Sequence, residues 1–276
     1  MKSSQTVGLL RDTIDKYYTK LDVVDVCIRH LHQTINISYI EDIIIEPSAG
    51  NGSFINGVKS LCNNHLFYDI EPEHEEIVRQ DYLSLDITDI RARYSRAHVV
   101  GNPPFGRQSS AVIKFIKKSC EFCHSISFIL PKSFKKDSLK KHFPPLFHLM
   151  FETDLPEDAF TVGGQSHNVP CVFQIWERKE FPRAISTSLT PTKYRFVSKD
   201  EHPDISFRRV GVNAGAIDTN IESKSVQSHY FIKFDPELLI EETVKKLSTI
   251  QFEFNNTVGP RSISKQELIK EFNVIL

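Results

Sequence analysis

Ile43-Ile44-Ile45 runs straight into Glu46-Pro47-Ser48-Ala49-Gly50-Asn51-Gly52-Ser53-Phe54. Three β-branched residues in succession read as a buried strand, and the small-residue loop after them opens a helix. Gly50 and Gly52 let the backbone turn sharply and approach a ligand closely, while the start of the following helix presents free N–H groups. A strand, glycine loop and helix in this order constrain the chain toward an open α/β sheet, in which ligands bind at the carboxyl ends of the strands. The phosphate-binding pattern G-x-G-x-x-G would need glycine at residue 55, which is Ile55; Gly57 comes two residues later. A nucleoside-bearing ligand therefore fits better than a dinucleotide. Glu46, an acid at the strand end, suits a cationic ligand better than a pyrophosphate.

The strands that follow also end in polar residues. His65-Leu66-Phe67-Tyr68 ends at Asp69-Ile70-Glu71-Pro72, and an acid roughly 20 residues past a glycine loop is the usual partner of ribose hydroxyls. A short strand around Ile77-Val78 ends at Asp81-Tyr82, where a carboxylate can accept from an adenine amino group. Ala97-His98-Val99-Val100-Gly101 ends at Asn102-Pro103-Pro104-Phe105. The prolines stop that strand, and the residue before a proline is driven into an extended conformation, which holds Asn102 at the tip. Any one of these is equally an ordinary strand exit. Three acids and one Asn-Pro-Pro-Phe, each at a strand tip of one series, make a convergent site.

Upstream, helical periodicity covers residues 7 to 33, through Leu9, Leu10 and Ile14 and then Val23, Val24, Val26, Cys27 and Leu31, with Thr19 placed to cap the second segment. Downstream, Gly106 to Ser110 is a loop before a helix with Ala111, Val112, Phe115 and Ile116 on its apolar face. Ile126 to Pro131 is a fifth strand; Leu149-Met150-Phe151 and Cys171 to Trp176 are a closing pair. Asp158 to Phe160 and Gly163-Gly164-Gln165 form a loop between that pair, a candidate cover over the site. Seven strands with helices between most of them predict an α/β doubly wound sheet.

A chain of 276 residues, 40% hydrophobic, has material for one large domain and a smaller appendage. The texture changes at residue 181, so residues 1–180 are expected as the main domain and 181–276 as a small α+β region. That region shows β-like pieces at Tyr194 to Val197 and Phe207 to Gly211, a helix over 236–250 starting at Pro236, and a helix from Ile263 to Phe272 capped by Ser264. The net charge of -1 excludes a general polycation, so any nucleic-acid contact must be local. From Arg107 to Lys141 nine Lys or Arg face only Glu121 and Asp137, and this stretch, with Lys132, Lys135 and Lys136, is a candidate phosphate track. Arg208 and Arg209 are a weaker second patch. Five cysteines, an odd number, favour reduced thiols and an intracellular compartment. No apolar run approaches the ~20 residues of a bilayer span, and the N-terminus lacks a signal-peptide core. Cys120-Glu121-Phe122-Cys123-His124 matches a c-type haem attachment pattern, but without an export signal it reads as two thiols near a helix end; no metal-site spacing is present.

Taken together, Glu46 to Phe54, Asp69, Asp81 and Asn102 to Phe105 resemble the class I S-adenosylmethionine-dependent amino-methyltransferases, specifically adenine-N6 enzymes in the motif order of the γ-class bacterial DNA methyltransferases. The family's first motif is similar to Tyr18-Thr19-Lys20-Leu21-Asp22-Val23-Val24, with Lys20-Leu21 where a proline is common. The resemblance covers about residues 15 to 178, and residues 181 to 276 match no recognition domain of the family. It implies a Rossmann-like seven-stranded sheet binding S-adenosyl-L-methionine through Tyr18, Thr19, Glu46, Ser48, Ala49, Gly50, Gly52, Asp69, Ile70, Asp81 and Tyr82, with Asn102 bordering the same ligand. It implies catalysis by Asn102, Pro103 and Phe105. Substrate contacts are expected from Pro104, Phe105, Arg107, Lys132, Lys135, Lys136 and Phe160. The expected partner is nucleic acid, DNA before RNA. Cap-proximal RNA adenosine, a protein glutamine amide, and an inactive nucleic-acid-binding scaffold are the alternatives.

Overall fold

In a computed structural model, described for residues 17–184, 188–252 and 261–276, the isoleucine run forms an interior strand of a seven-stranded sheet. The chain divides into two units, Met1–Ala184 and Ile185–Leu276. The elements of the first are, in order, β1 (Tyr18–Thr19), α1 (Leu21–Thr34), β2 (Ile43–Glu46), α2 (Ile55–Leu61), β3 (His65–Asp69), β4 (Val78–Arg79), α3 (Thr88–Arg93) and β5 (Ala97–Gly101). They continue with α4 (Ser110–Phe122), β6 (Ser125–Pro131), α5 (Asp137–Lys140), β7 (Phe147–Asp154), β8 (Phe160–Val162), β9 (Gln165–His167) and β10 (Cys171–Arg178).

Seven of these strands form one sheet in the order β4-β3-β2-β5-β6-β10-β7. Strands β4 to β6 run parallel, and β10 is inserted antiparallel between β6 and β7. This is a Rossmann-like doubly wound sheet. The chain moves outward from β2 to β3 and β4, then returns to build β5 and β6 on the other side of β2. The order therefore reverses between β2 and β5, and a crevice opens there at the strands' carboxyl ends.

The isoleucines show why β2 is central. Ile44 joins an apolar layer with Val23, Cys27 and Leu31 of α1 and Val58 of α2. Ile43 and Ile45 join the opposite layer with Ile90 of α3 and Val112 and Ile116 of α4. All three are fully buried. Alternation across the pleat thus sends neighbouring residues into different helical layers, which only a strand covered on both faces tolerates. Each such side chain contributes about 1.5–3 kcal/mol of transfer free energy.

The structure departs from the expected elements at several points. Leu9, Leu10 and Ile14 lie outside the described residues, and the described helix runs only from Leu21. Thr19 is not its cap: it pairs in β1 with Phe160, and Lys20 occupies the N-cap without a side-chain bond. Asp22 Oδ1 instead accepts the Val23 N–H at 2.9 Å. The expected loop over 158–165 is a β-hairpin, β8–β9, extended by β1 into a three-stranded sheet. Gly163 and Gly164, both at positive φ, make its two-residue turn. Two φ > 0 residues in tandem match the right-handed twist of a tight hairpin.

The second unit contains β11 (Tyr194–Val197), β12 (Ile205–Arg208), β13 (Ile217–Asp218), β14 (His229–Phe234), α6 (Ile240–Leu247) and α7 (Lys265–Ile275), with a sheet ordered β11-β14-β12-β13. Its core joins Ile205, Phe207 and Ile232 of the sheet to Leu247 of α6 and Leu268 and Phe272 of α7. Ser264 caps α7 in a full capping box with Glu267. Helix α6 starts at Ile240 and not at Pro236, because Leu238 N–H closes a turn onto the Asp235 carbonyl at 3.0 Å with Pro236 in its second position. No described helix is long and apolar enough to cross a membrane.

Candidate active site

A cleft of about 340 Å³ lies over the carboxyl ends of β2, β3 and β5, roofed on one side by β1 and β8. The glycine loop forms one wall. Asp69, at the tip of β3, accepts the Gly50 N–H at 2.8 Å on one oxygen and the Glu71 N–H at 2.8 Å on the other. Ala49 N–H donates to the Tyr68 carbonyl at 2.9 Å, and Glu73 N–H to the Gly50 carbonyl at 3.0 Å. The loop is therefore tied to β3 by one main-chain bond and the Asp69 carboxylate, and to the segment after β3 by Glu73. Its glycines are required for the turn: Gly50 and Gly52 have φ of 52° and 85°, and a Cβ on Gly52 would sit 2.7 Å from the Ile55 side chain.

Asn102 and Glu46 mark the floor. Asn102 Nδ2 donates to the Tyr17 carbonyl at 3.2 Å, while its Oδ1 is buried with no hydrogen-bond partner. The Asn102 carbonyl accepts from Ser48 Oγ at 3.3 Å, which ties the tetrapeptide to the glycine loop. Glu46 is 2% exposed, and its Oε2 likewise has no partner. Burial, reinforced by the negative charge of Asp69, raises its carboxyl well above the ordinary range. A buried polar atom left unmatched costs about 1–3 kcal/mol, so two of them on residues lining one cleft point to an incoming polar ligand.

Tyr18, Thr19, Ser48, Ala49 and Gly50 line the cleft with Glu46. So do Asp69, Ile70, Asp81 and Tyr82, and so do Asn102, Pro103, Pro104, Phe105 and Phe160. Gly52 shapes the loop without lining the cavity. Asp81 has a second task, since its Oδ1 accepts the Leu83 N–H at 2.9 Å and caps the short turn there. Tyr82 is buried and stacks on Phe115 with ring centroids 5.5 Å apart.

Arg107, Lys132, Lys135 and Lys136 do not line the cleft. Lys132 and Lys135 both reach Asp154, at 2.9 and 2.7 Å, and Lys140 reaches Glu152 at 3.3 Å. Strand β7 thus brings acids against three of the nine basic residues, a neutralisation that sequence distance conceals.

Sequence reasoning missed Tyr17, whose carbonyl orients Asn102 and whose ring packs against Phe160 at 6.3 Å and His167 at 5.3 Å. It also read Phe115 as core only, whereas that ring closes one side of the cavity. The Tyr17-Tyr18 pair was the available signal. Nothing local shows that an acceptor 85 positions before Asn102 meets it.

No protein-family model matches the chain, and no curated protein does. Among solved structures, it is similar to a candidate RNA methyltransferase from Pyrococcus horikoshii at 15% identity and a TM-score of 0.46, over 60% of this chain and 87% of that one. A candidate class I S-adenosylmethionine-dependent methyltransferase from Listeria monocytogenes aligns at 14% identity and a TM-score of 0.45, over 60% of this chain and 62% of that one. The 23S rRNA methyltransferase ErmE aligns at 14% identity and a TM-score of 0.40, over 57% and 69% respectively. Similarity at this level does not reach the chemistry of the cleft, which its own residues must supply.

Proposed function

We propose that the chain is an S-adenosylmethionine-dependent N6-adenine methyltransferase acting on nucleic acid, with DNA favoured over RNA. The observation that carries this reading is the Asn102 side chain. One of its amide N–H groups donates to the Tyr17 carbonyl, and its buried Oδ1 is left without a partner in a residue that lines the cleft, next to a proline that offers a carbonyl and no N–H.

The donor set fits the cofactor. A glycine cradle at positive φ accepts a close ligand, Glu46 offers an unmatched buried carboxyl to a cation, and Asp69 and Asp81 supply acceptors for ribose hydroxyls and an adenine amine. Tyr18, Thr19, Ser48, Ala49, Ile70 and Tyr82 complete its surroundings. Bound there, S-adenosylmethionine supplies an electrophilic methyl group.

The residues of the chain act on the amine. An exocyclic NH2 conjugated to a purine ring is a poor nucleophile, because its lone pair is delocalised. Asn102 Oδ1 and the Pro103 carbonyl accept its two hydrogens, which favours a pyramidal nitrogen and stabilises the positive charge that develops on it. Pro103 and Pro104 hold both acceptors in place before the substrate arrives, so orientation is not lost to backbone motion. Phe105 presents a ring face to a base that is single-stranded or withdrawn from its stack, while Phe160, buried in the hairpin against Tyr17, stiffens the wall of the same cavity. No strong general base is needed, since the amine becomes acidic only after the methyl group has moved.

The test is methyl transfer from labelled S-adenosylmethionine to duplex DNA, single-stranded DNA, capped RNA and protein, followed by digestion to nucleosides or amino acids. Label in N6-methyladenine is expected. Label recovered only in a glutamine amide would overturn the nucleic-acid reading, and no binding of S-adenosylmethionine at millimolar concentration would overturn the enzyme.

A further inference from the structure

Tyr17 and Tyr18 send their rings to opposite sides, as successive residues of an extended chain do. The Tyr17 ring packs against Phe160 and His167, and its carbonyl accepts Asn102 Nδ2 at 3.2 Å. The Tyr18 ring crosses the glycine loop instead. A Cβ built on Gly50 would lie 3.3 Å from Tyr18 Cε1, and the Tyr18 hydroxyl donates to Glu73 Oε1 at 2.6 Å. That length is typical of a hydroxyl donating to a carboxylate. Glu73 is itself tied to the same loop, since its N–H donates to the Gly50 carbonyl at 3.0 Å. Tyr18, Gly50 and Glu73 all line the cleft.

The chain at β1 therefore joins two walls of the cleft. Through Tyr18 it is fastened to the segment after β3 that also holds the glycine loop, and through Tyr17 to the strand-tip amide. Its end toward α1 is fixed separately, by Lys20 N–H on the Ala159 carbonyl at 3.0 Å and Lys20 Nζ on Asp158 at 2.7 Å. Strand β1 is only two residues long, and the hairpin strands it joins have three residues each. So short a sheet is not rigid by itself. Its ladder to β8 takes in Tyr18 and Thr19 and stops short of Tyr17. The position of the Tyr17 carbonyl thus depends on what holds its neighbour.

Resting on the methyltransferase reading above, we propose that Glu73 is a positioning residue: by accepting the Tyr18 hydroxyl it holds β1 where the Tyr17 carbonyl fixes the direction of the Asn102 amide. Its part is played through the strand, by acceptance of a hydrogen bond and not by charge.

The experiment follows solvent exchange of the Asn102 side-chain amide by proton–nitrogen NMR of the ligand-free full chain, the signal being identified by its loss in Asn102→Ala. Protection of the Nδ2 proton bonded to Tyr17 is expected in the parent. Tyr18→Phe and Glu73→Ala are each expected to speed its exchange by about 3–10-fold, the factor that one net hydrogen bond is worth. The double variant is expected to exchange no faster than either single one, because both remove the same bond. Glu73→Gln keeps an acceptor oxygen and loses the charge, and is expected to stay within about twofold of the parent. Thermal melting checks each fold; should Tyr18→Phe melt low, Glu73→Ala at its exposed position carries the test. An unprotected Asn102 amide in the parent, or exchange left unchanged by Glu73→Ala, overturns the proposal whether or not the chain transfers methyl groups. So does exchange in Glu73→Gln as fast as in Glu73→Ala, since the carboxylate then acts by charge. Methyl transfer to single-stranded DNA from saturating labelled S-adenosylmethionine is read alongside. There kcat is expected to fall in Tyr18→Phe by the same factor, and Tyr18→Phe to make no further difference in Asn102→Ala. A further fall in that background assigns Tyr18 to the cofactor and overturns the route through Asn102. Faster exchange in a chain that methylates no strand supports the positioning role and overturns the catalytic reading instead.

Discussion

Glu46→Gln is the perturbation in which the structure makes its most quantitative demand. The Glu46 carboxyl is buried, its Oε2 is unmatched, and Asp69 adds like charge, so the ligand-free protein holds it protonated well above the ordinary value of 4.5. For an acid whose folded-state pKa is raised, the native state binds the extra proton. Stability is then full below about 4.5 and falls as pH rises toward the folded value. The slope is about 1.4 kcal/mol per pH unit for one proton. In a domain of this size 1 kcal/mol moves the melting temperature by about 2–4 °C, so Glu46 alone lowers it by up to about 6 °C per pH unit between the unfolded and folded values. Glutamine keeps the shape and cannot ionise. In ligand-free melts at pH 5 and pH 6, the variant minus parent difference in Tm is therefore expected to grow by that amount. Binding of a cation should reverse the balance, since the bound state uses the carboxylate. Calorimetry in two buffers of different ionisation enthalpy is expected to show about one proton released by the parent and none by the variant. Parallel melting curves across that pH interval would refute the reasoning.

Asn102→Ala is expected to lower methyl transfer by about 10²–10³-fold, the usual loss of one preorganised charge-stabilising group, while cofactor affinity measured by calorimetry stays within error. Asp69→Ala removes the charge-assisted bonds from the Gly50 and Glu71 N–H groups as well as the ribose acceptor, and a cofactor dissociation constant raised at least about tenfold is expected. Away from the cleft, burial lowers His98 to about 4, against the opposing pull of Asp42, with Ser125 Oγ at 2.8 Å and Asp42 at 3.3 Å from its ring nitrogens. A histidine held neutral in the fold destabilises it as pH falls below 6.5, by about 1.4 kcal/mol per unit down to 4. In denaturant melts, the stability of His98→Gln relative to the parent should rise by about this amount per unit between pH 7 and pH 5, since both carry the same Glu46.

The strand tips were legible because their causes are local. Three isoleucines need burial, paired prolines end a strand, and a glycine loop can turn where others cannot. Those rules placed Glu46, Asp69, Asp81 and Asn102 at the ends of consecutive strands, and a parallel sheet then brings such ends together whatever lies between. Gly163-Gly164 was equally local, since two adjacent glycines between short runs are a hairpin signal, and reading them as a loop overlooked it. Thr19 failed for a different reason. A threonine before a helix caps it only if its backbone is not already committed, and β8, some 140 positions later, takes that backbone into a sheet.

What the chain order could not contain is partnership across distance. Charge counting along residues 107 to 141 finds an excess of cations, but Asp154 and Glu152 arrive from β7 and cancel part of it. The type of Asn102 and its position at a strand tip follow from the residues around it. The direction its amide faces is decided by the Tyr17 carbonyl. Local sterics set where a strand stops; only the packed sheet sets which acceptor is spent within the protein and which is left for a substrate.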